Sequence, residues 1–178
     1  MHHFSMRVRA DGLSLVELVI AVARLKPAAP LDIRDGNWHH LAVTFAGQAG
    51  SGVGVTPQTT KIYVDGVALA TEFQNCPGNS SSIIFTFRTP LYIGRANGDR
   101  QSGLKGLVSD LRIWQRALVS SEIRDLAGRD QRADANIGGL YANLPLDGLP
   151  GGRVENKGSW GGRAEPRNDS IFPVPVRS

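Results

Sequence analysis

Apolar and polar residues alternate along much of this chain with a period of two. Phe4, Met6, Val8 and Ala10 interleave with Ser5, Arg7, Arg9 and Asp11, which predicts a strand with one buried face. Asp11-Gly12 is a hairpin signal, and residues 13–22 predict the returning strand. Leu31-Asp32-Ile33 predicts a short strand, and Asp35-Gly36-Asn37 a turn in which glycine supplies positive φ. Alternation resumes over 38–45. It puts Leu41, Val43 and Phe45 on the core face and makes Trp38 an apolar anchor at the strand start. Residues 61–64 end at Asp65-Gly66, a second hairpin signal, with 67–73 returning. Strands are also predicted over 83–87, 91–93 and 107–114. One segment changes period: over 120–127, Ile123, Leu126 and Ala127 share one side of a helix that Gly128 ends.

Short strands at regular spacing, with one short helix, predict an all-β jelly-roll sandwich of two antiparallel sheets. Leu41, Val43, Phe45, Ile62, Val64, Ile93, Leu111 and Ile113 are its expected common core. Two polar stretches without apolar period, 46–60 and 94–105, are long loops of the kind that carry function on a rigid scaffold. From residue 129 the composition shifts toward Gly, Asn, Asp and Arg. Within this tail, residues 140–146 have strand character, and Pro145 points to an edge or a bulge.

Composition narrows the picture. The 178 residues suffice for one core, and 21 glycines with 10 prolines fit many tight turns. The net charge of +4 is Arg-rich but scattered, and aromatic residues are few. This disfavours a nucleic-acid platform, which wants clustered cations interleaved with stacking rings; an acidic glycan suits such a surface better. The single cysteine, Cys76, allows neither an intramolecular disulfide nor a thiolate cluster. No apolar stretch is long enough to span a bilayer as a helix.

Four segments, in order, resemble the laminin-G-like, pentraxin-like and concanavalin A-like jelly-roll superfamily: Asp35-Gly36-Asn37-Trp38-His39-His40-Leu41-Ala42-Val43-Thr44-Phe45; Ile62-Tyr63-Val64-Asp65-Gly66; Leu91-Tyr92-Ile93-Gly94; and Gly106 to Leu118 followed by Ser121-Glu122-Ile123. The resemblance implies a concanavalin A-like domain over 1–128 and a non-catalytic module that binds carbohydrate or protein, or mediates adhesion, at an extracellular or cell-surface location within a larger assembly. It also implies rim loops as the contact surface. Arg95, Asn97, Asp99, Arg100 and the loop 47–60 are the expected ligand contacts, and Asn97 and Asp99 the expected metal ligands. Related domains hold calcium at this rim, but two side chains fall short of a calcium shell.

Departures from the family pattern carry expectations of their own. Val119 stands where the family has a helix-capping serine, so the cap is expected at Ser120 or Ser121. The family's opening strands are missing. The tail, 129–178, is therefore expected to fold back and fill their place through 140–146; the alternative is the start of a second repeat, which Leu144-Pro145-Leu146-Asp147-Gly148 and Asn156-Lys157-Gly158-Ser159 resemble.

Two other functions find less support in the residues. Residues 13–23 resemble the cleavage region of a type IV prepilin, with Glu17 the fifth residue after glycine. That would make the chain a self-associating subunit of a surface appendage. Leu13, Arg24, Lys26 and Pro27 depart from the prepilin pattern, and the alternation favours strands. Glu17 also sits badly in a secretory signal, so no clear signal peptide is expected. Glycoside hydrolysis would need two carboxylates at fixed separation, and no strand carries acids at i and i+2 or i+4. His39 and His40, adjacent on an expected strand, would face opposite sides and cannot share a metal. Arg112 is expected to pair with a carboxylate.

Overall fold

The computed structural model describes residues 4–7, 17–20, 23–46, 58–74, 93, 106–128, 138–146 and 154–164. Their strands form four antiparallel sheets, and they include one helix. Strands β1 (Phe4–Arg7) and β2 (Glu17–Ile20) pair as expected for the N-terminal hairpin, Phe4 opposite Ile20 and Arg7 opposite Glu17. Residues 17–20 and 23–27 are extended, as the alternation predicts and not as the helix that a prepilin segment would form. The second of these segments, β3 (Ala23–Pro27), was not expected: its charges and proline look like the end of an apolar run. It pairs with β2 on one side and with β7 (Thr71–Gln74) on the other, where Lys26 meets Glu72 at 2.8 Å.

Strands β4 (Leu41–Phe45), β5 (Thr60–Val64) and β6 (Val67–Ala68) form a three-stranded sheet. The turn between β5 and β6 is the two-residue kind that Asp65-Gly66 signalled, with φ of 51° and 79°. The returning segment then splits: 67–68 stays with β5, and 71–74 crosses to β3. Pleating sorts the side chains of β4 and β5. Leu41, Val43 and Phe45 join Ile62 and Val64 on one face, with Leu31, Ile33 and Leu69 packed against them. Ala42 and Tyr63 take the other face, against Leu118, Ile123 and Leu126.

The helix α1 (Ser120–Gly128) supplies that second layer with Ile123 and Leu126. Its start corrects the expected cap. Neither serine caps it; Val119 holds the cap position, its carbonyl accepting from Ile123 N–H at 3.1 Å. The Val119 amide is satisfied by Glu122, whose Oε2 accepts at 2.9 Å, so the acidic half of a capping box works without the hydroxyl half. The tip of the β5–β6 turn docks on this helix. A Cβ at Gly66 would lie 3.0 Å from the Arg124 Cα, so the turn needs glycine for clearance as well as for φ.

Strand β8 (Leu111–Trp114) pairs with β9 (Leu140–Leu144), Leu111 opposite Leu144 and Ile113 opposite Ala142. Leu144, Leu146 and Val154 form a third apolar cluster with Leu111 and Ala164. A two-stranded ladder of β10 (Val154–Glu155) and β11 (Arg163–Ala164) follows. Arg112 pairs with Asp110 at 2.6 Å, with both side chains largely buried.

Among the described residues the core is thus three clusters rather than the single one expected. Leu111 belongs to the third, and Ile93 and Ile113 are each 37% exposed. Trp38 is no anchor: it lies outside any strand and is 66% exposed. Residues 31–33 and 107–110 pack or approach as irregular chain, not as strand.

Candidate functional site

Two polar constellations lie close to the β4–β5 ladder. The first grows from the Asp35-Gly36-Asn37 turn. Asp35 Oδ1 accepts from the Asn37 amide at 2.8 Å, and Oδ2 from its side chain at 2.9 Å, closing a tight loop around Gly36 at φ 86°. That loop aims the carboxylate at His39, whose Nε2 lies 3.0 Å from Asp35 Oδ1. His39 Nδ1 lies 2.8 Å from Asp65 Oδ2, on the β5–β6 turn. Asp65 Oδ1 also accepts from the His40 amide at 2.8 Å.

The chemistry of this clamp follows from its donors. Ionised carboxylates only accept, so an imidazole that meets one on each nitrogen carries a proton on each. Hydrogen bonds to Asp65 and then Asp35 accordingly raise the His39 pKa above its usual value. Hydrogen bonds from the Asn37 side chain and amide, and from His39, hold Asp35 well below the carboxylate range. Burial pushes Asp65 up, but the bonds from His39 and the His40 amide outweigh it and leave this acid low. With both nitrogens engaged, His39 offers no lone pair to a metal or to a proton in transit. His40 differs: burial lowers its pKa, and its buried Nδ1 has no hydrogen-bond partner among the described residues.

The second constellation is a cleft of about 300 Å³ where the end of β4, the start of β5 and the N-terminus of α1 converge. Thr44, Gln58, Thr59, Lys61, Tyr63 and Ser120 give it a polar lining. Register explains the convergence, since Thr44 pairs with Lys61 and Ala42 with Tyr63 on the helix side of the ladder. Tyr63 is buried, and its hydroxyl meets Ser120 Oγ at 3.2 Å. The helical wall is fixed by Arg116, which donates to Glu122 at 2.8 Å and to the Gly138 carbonyl at 3.0 Å. The Arg116 guanidinium, helped by the Val119 amide, draws the Glu122 pKa down to about 2. No carboxylate lines the cleft among the described residues.

Of the expected contacts, Gln58 and Thr59, at the end of the loop 47–60, line this cleft. Arg95, Asn97, Asp99, Arg100 and residues 47–57 lie outside the described residues. Among those described, no group of three or more His, Cys, Asp or Glu side chains is placed to hold a metal ion. The clamp was not anticipated. Its signal was two turn aspartates, Asp35 and Asp65, flanking a histidine that neither adjoins in sequence.

Residues 3–124 match the Laminin_G_3 family model, described as the concanavalin A-like lectin/glucanases superfamily. The chain is similar to the crystal structure of an S-layer domain-containing protein (residues 221–444) from Clostridium thermocellum ATCC 27405. Sequence identity there is 20% and the TM-score 0.39, over 71% of this chain and 63% of that one. No curated protein matches the chain.

Proposed function

This chain belongs to the concanavalin A-like lectin/glucanases superfamily, and from that premise we propose that it is a recognition module that binds a glycan or protein ligand without turning it over. The superfamily's name spans binding and hydrolysis, so the carboxylates decide between them. A glycosidase needs a carboxylic acid with a raised pKa beside a second carboxylate at defined separation. Among the described residues, Asp32, Asp35, Asp65 and Glu122 are shifted the opposite way, held low by hydrogen-bonded partners. The observation that carries the proposal is the cleft beside α1, whose lining among the described residues holds hydroxyl, amide and amine groups and no carboxylate. Those groups suit the hydroxyls of a sugar or the backbone of a peptide.

The proposal includes rim contacts by Arg95, Asn97, Asp99 and Arg100, calcium held through Asn97 and Asp99, and an extracellular or cell-surface setting. A glycan array probed with and without millimolar calcium, together with a reducing-end assay on the bound glycans, tests it. Saturable binding with no new reducing ends is the expected result, with Asp99→Ala removing any calcium-dependent part. Release of reducing ends would make the chain a hydrolase. No bound glycan or protein, with defined multimers formed in the absence of ligand, would make it an assembly subunit.

A further inference from the structure

Trp160 is stacked on another ring and yet half exposed. Its indole stacks on the Tyr141 ring with centroids 5.8 Å apart and planes 24° from parallel, yet the residue is 52% exposed. The backbone beneath it is held closely. Trp160 N–H donates to the Tyr141 carbonyl at 2.9 Å, and the Ser159 hydroxyl to the Leu140 carbonyl at 3.0 Å. The Asn156 side chain secures the same turn: its Oδ1 accepts from the Asn143 and Gly158 amides at 2.7 and 2.9 Å, and its Nδ2 donates to the Gly161 carbonyl at 3.1 Å. A Cβ at Gly158 would come within 2.5 Å of the Tyr141 carbonyl oxygen, so the turn sits directly on β9.

Two glycines follow the tryptophan. Gly161 and Gly162 have φ of 66° and 88°. A Cβ at Gly162 would stand 3.8 Å from the indole Cη2 and 3.9 Å from Cζ2 and Cζ3, so a longer side chain there would lie over the benzo edge. Lys157 and Ser159, in the same turn, are exposed and polar. An exposed aromatic ring, fixed by a stacked partner and a hydrogen-bonded turn that also carries exposed polar residues, matches a ligand that is apolar on one face and hydroxylated around its edge. A pyranose ring has that form: its C–H groups line one face, and the negative face of an aromatic ring attracts them. Pre-fixing the aromatic ring removes much of the ordering cost of such a contact.

We propose that Trp160, backed by Tyr141, is a stacking platform for a pyranose ring of a glycan, at a site separate from the cleft beside α1. The proposal rests on the glycan-binding reading above and goes further in naming the site and the sugar face it takes.

The test uses the full chain and its Trp160→Ala and Trp38→Ala variants on an array of cello-, xylo-, manno- and chito-oligosaccharides. Trp38 is the control, being an exposed indole without a stacked ring among the described residues. Expected are wild-type signals that fall about tenfold or more in Trp160→Ala, the scale of one lost aromatic stack, and persist in Trp38→Ala. A second readout is independent of any variant. On titration of the wild type with the same oligosaccharides, the Trp160 indole N–H resonance should shift while that of Trp38 stays. Array signals unchanged in Trp160→Ala, or a static Trp160 resonance under saturating oligosaccharide, overturn the platform and leave the chain a glycan binder by another surface. An array without wild-type signal overturns both the platform and the glycan reading.

Discussion

The β4–β5–β6 ladder and residues 138–146 with 154–164 both hold fully buried side chains, but they are secured differently. In the ladder, Ile62 and Tyr63 are 0% and 2% exposed and face apolar side chains on opposite sides of the sheet. Its stability is spread over many contacts that can repack when one side chain changes shape. In the latter, Ala142, Leu144 and Val154 are equally buried, but the turn against β9 is held by a few hydrogen bonds, the Asn156 amide central among them, and by one missing side chain, at Gly158. A core built on volume tolerates exchange among apolar residues. A turn built on one clearance does not tolerate a methyl group.

That contrast can be broken or sharpened by experiment. The largest effect is expected from Ile62→Ala, which should cost about 2–5 kcal/mol in chemical denaturation, whereas Ile62→Val should cost about 0.5–1.5 kcal/mol. Gly158→Ala comes next, at about 1–3 kcal/mol for forcing a methyl against backbone. Its signature is local: amide exchange should quicken across residues 140–144 while residues 60–64 keep their protection. Equal loss of protection in both would show one cooperative unit and dissolve the contrast. Tyr63→Phe deletes the hydroxyl that meets Ser120 and should cost about 0.5–1.5 kcal/mol, read as a shift in denaturation midpoint at unchanged slope.

The smallest effect depends on pH. His39 has a folded pKa above its unfolded one, so its contribution is complete below about pH 6.5 and is lost as pH rises through the raised value. Asp35 and Asp65 have lowered pKa values, so theirs is present above the ordinary carboxylate range and lost as pH falls below it. The clamp should therefore stabilise the fold most between these limits. His39→Gln should flatten the alkaline decline of a stability-against-pH curve; a mutant curve parallel to wild type above pH 6.5 would remove the imidazolium from the account.

Features set by local chemistry were legible in the sequence. Asp65-Gly66 announced a two-residue turn because few residues accept positive φ in succession, and Ile123 with Leu126 announced the helix by spacing. Features that depend on distant partners were not. Trp38 fits the alternating pattern of 38–45, but the chain is committed to the Asp35 turn and the histidine clamp before the strand begins at Leu41. The β3 strand was hidden because Lys26 suggests solvent, and only its meeting with Glu72 on β7 gives that charge a place in a sheet. Val119 looked unfit to cap a helix because the serine rule considers only the capping hydroxyl, while Glu122 answers the amide from the third helical position. The clamp joins Asp35 and Asp65 across thirty residues of sequence, a distance that no local motif spans.

Strand β9 has one edge on β8. Along the other, Lys157 N–H donates to Asn143 O, Trp160 N–H to Tyr141 O, and the Asn156 side chain takes the Asn143 amide in place of a backbone carbonyl. An open strand edge is a template on which a foreign strand can build, and proteins that work at high local concentration must guard against it. Here a side-chain amide and a glycine-tight turn act as a stopper, ending the ladder with a group that cannot propagate it. The same residues that present Trp160 to a ligand thus keep β9 from recruiting a neighbour's strand, so loosening the turn would risk aggregation as well as recognition.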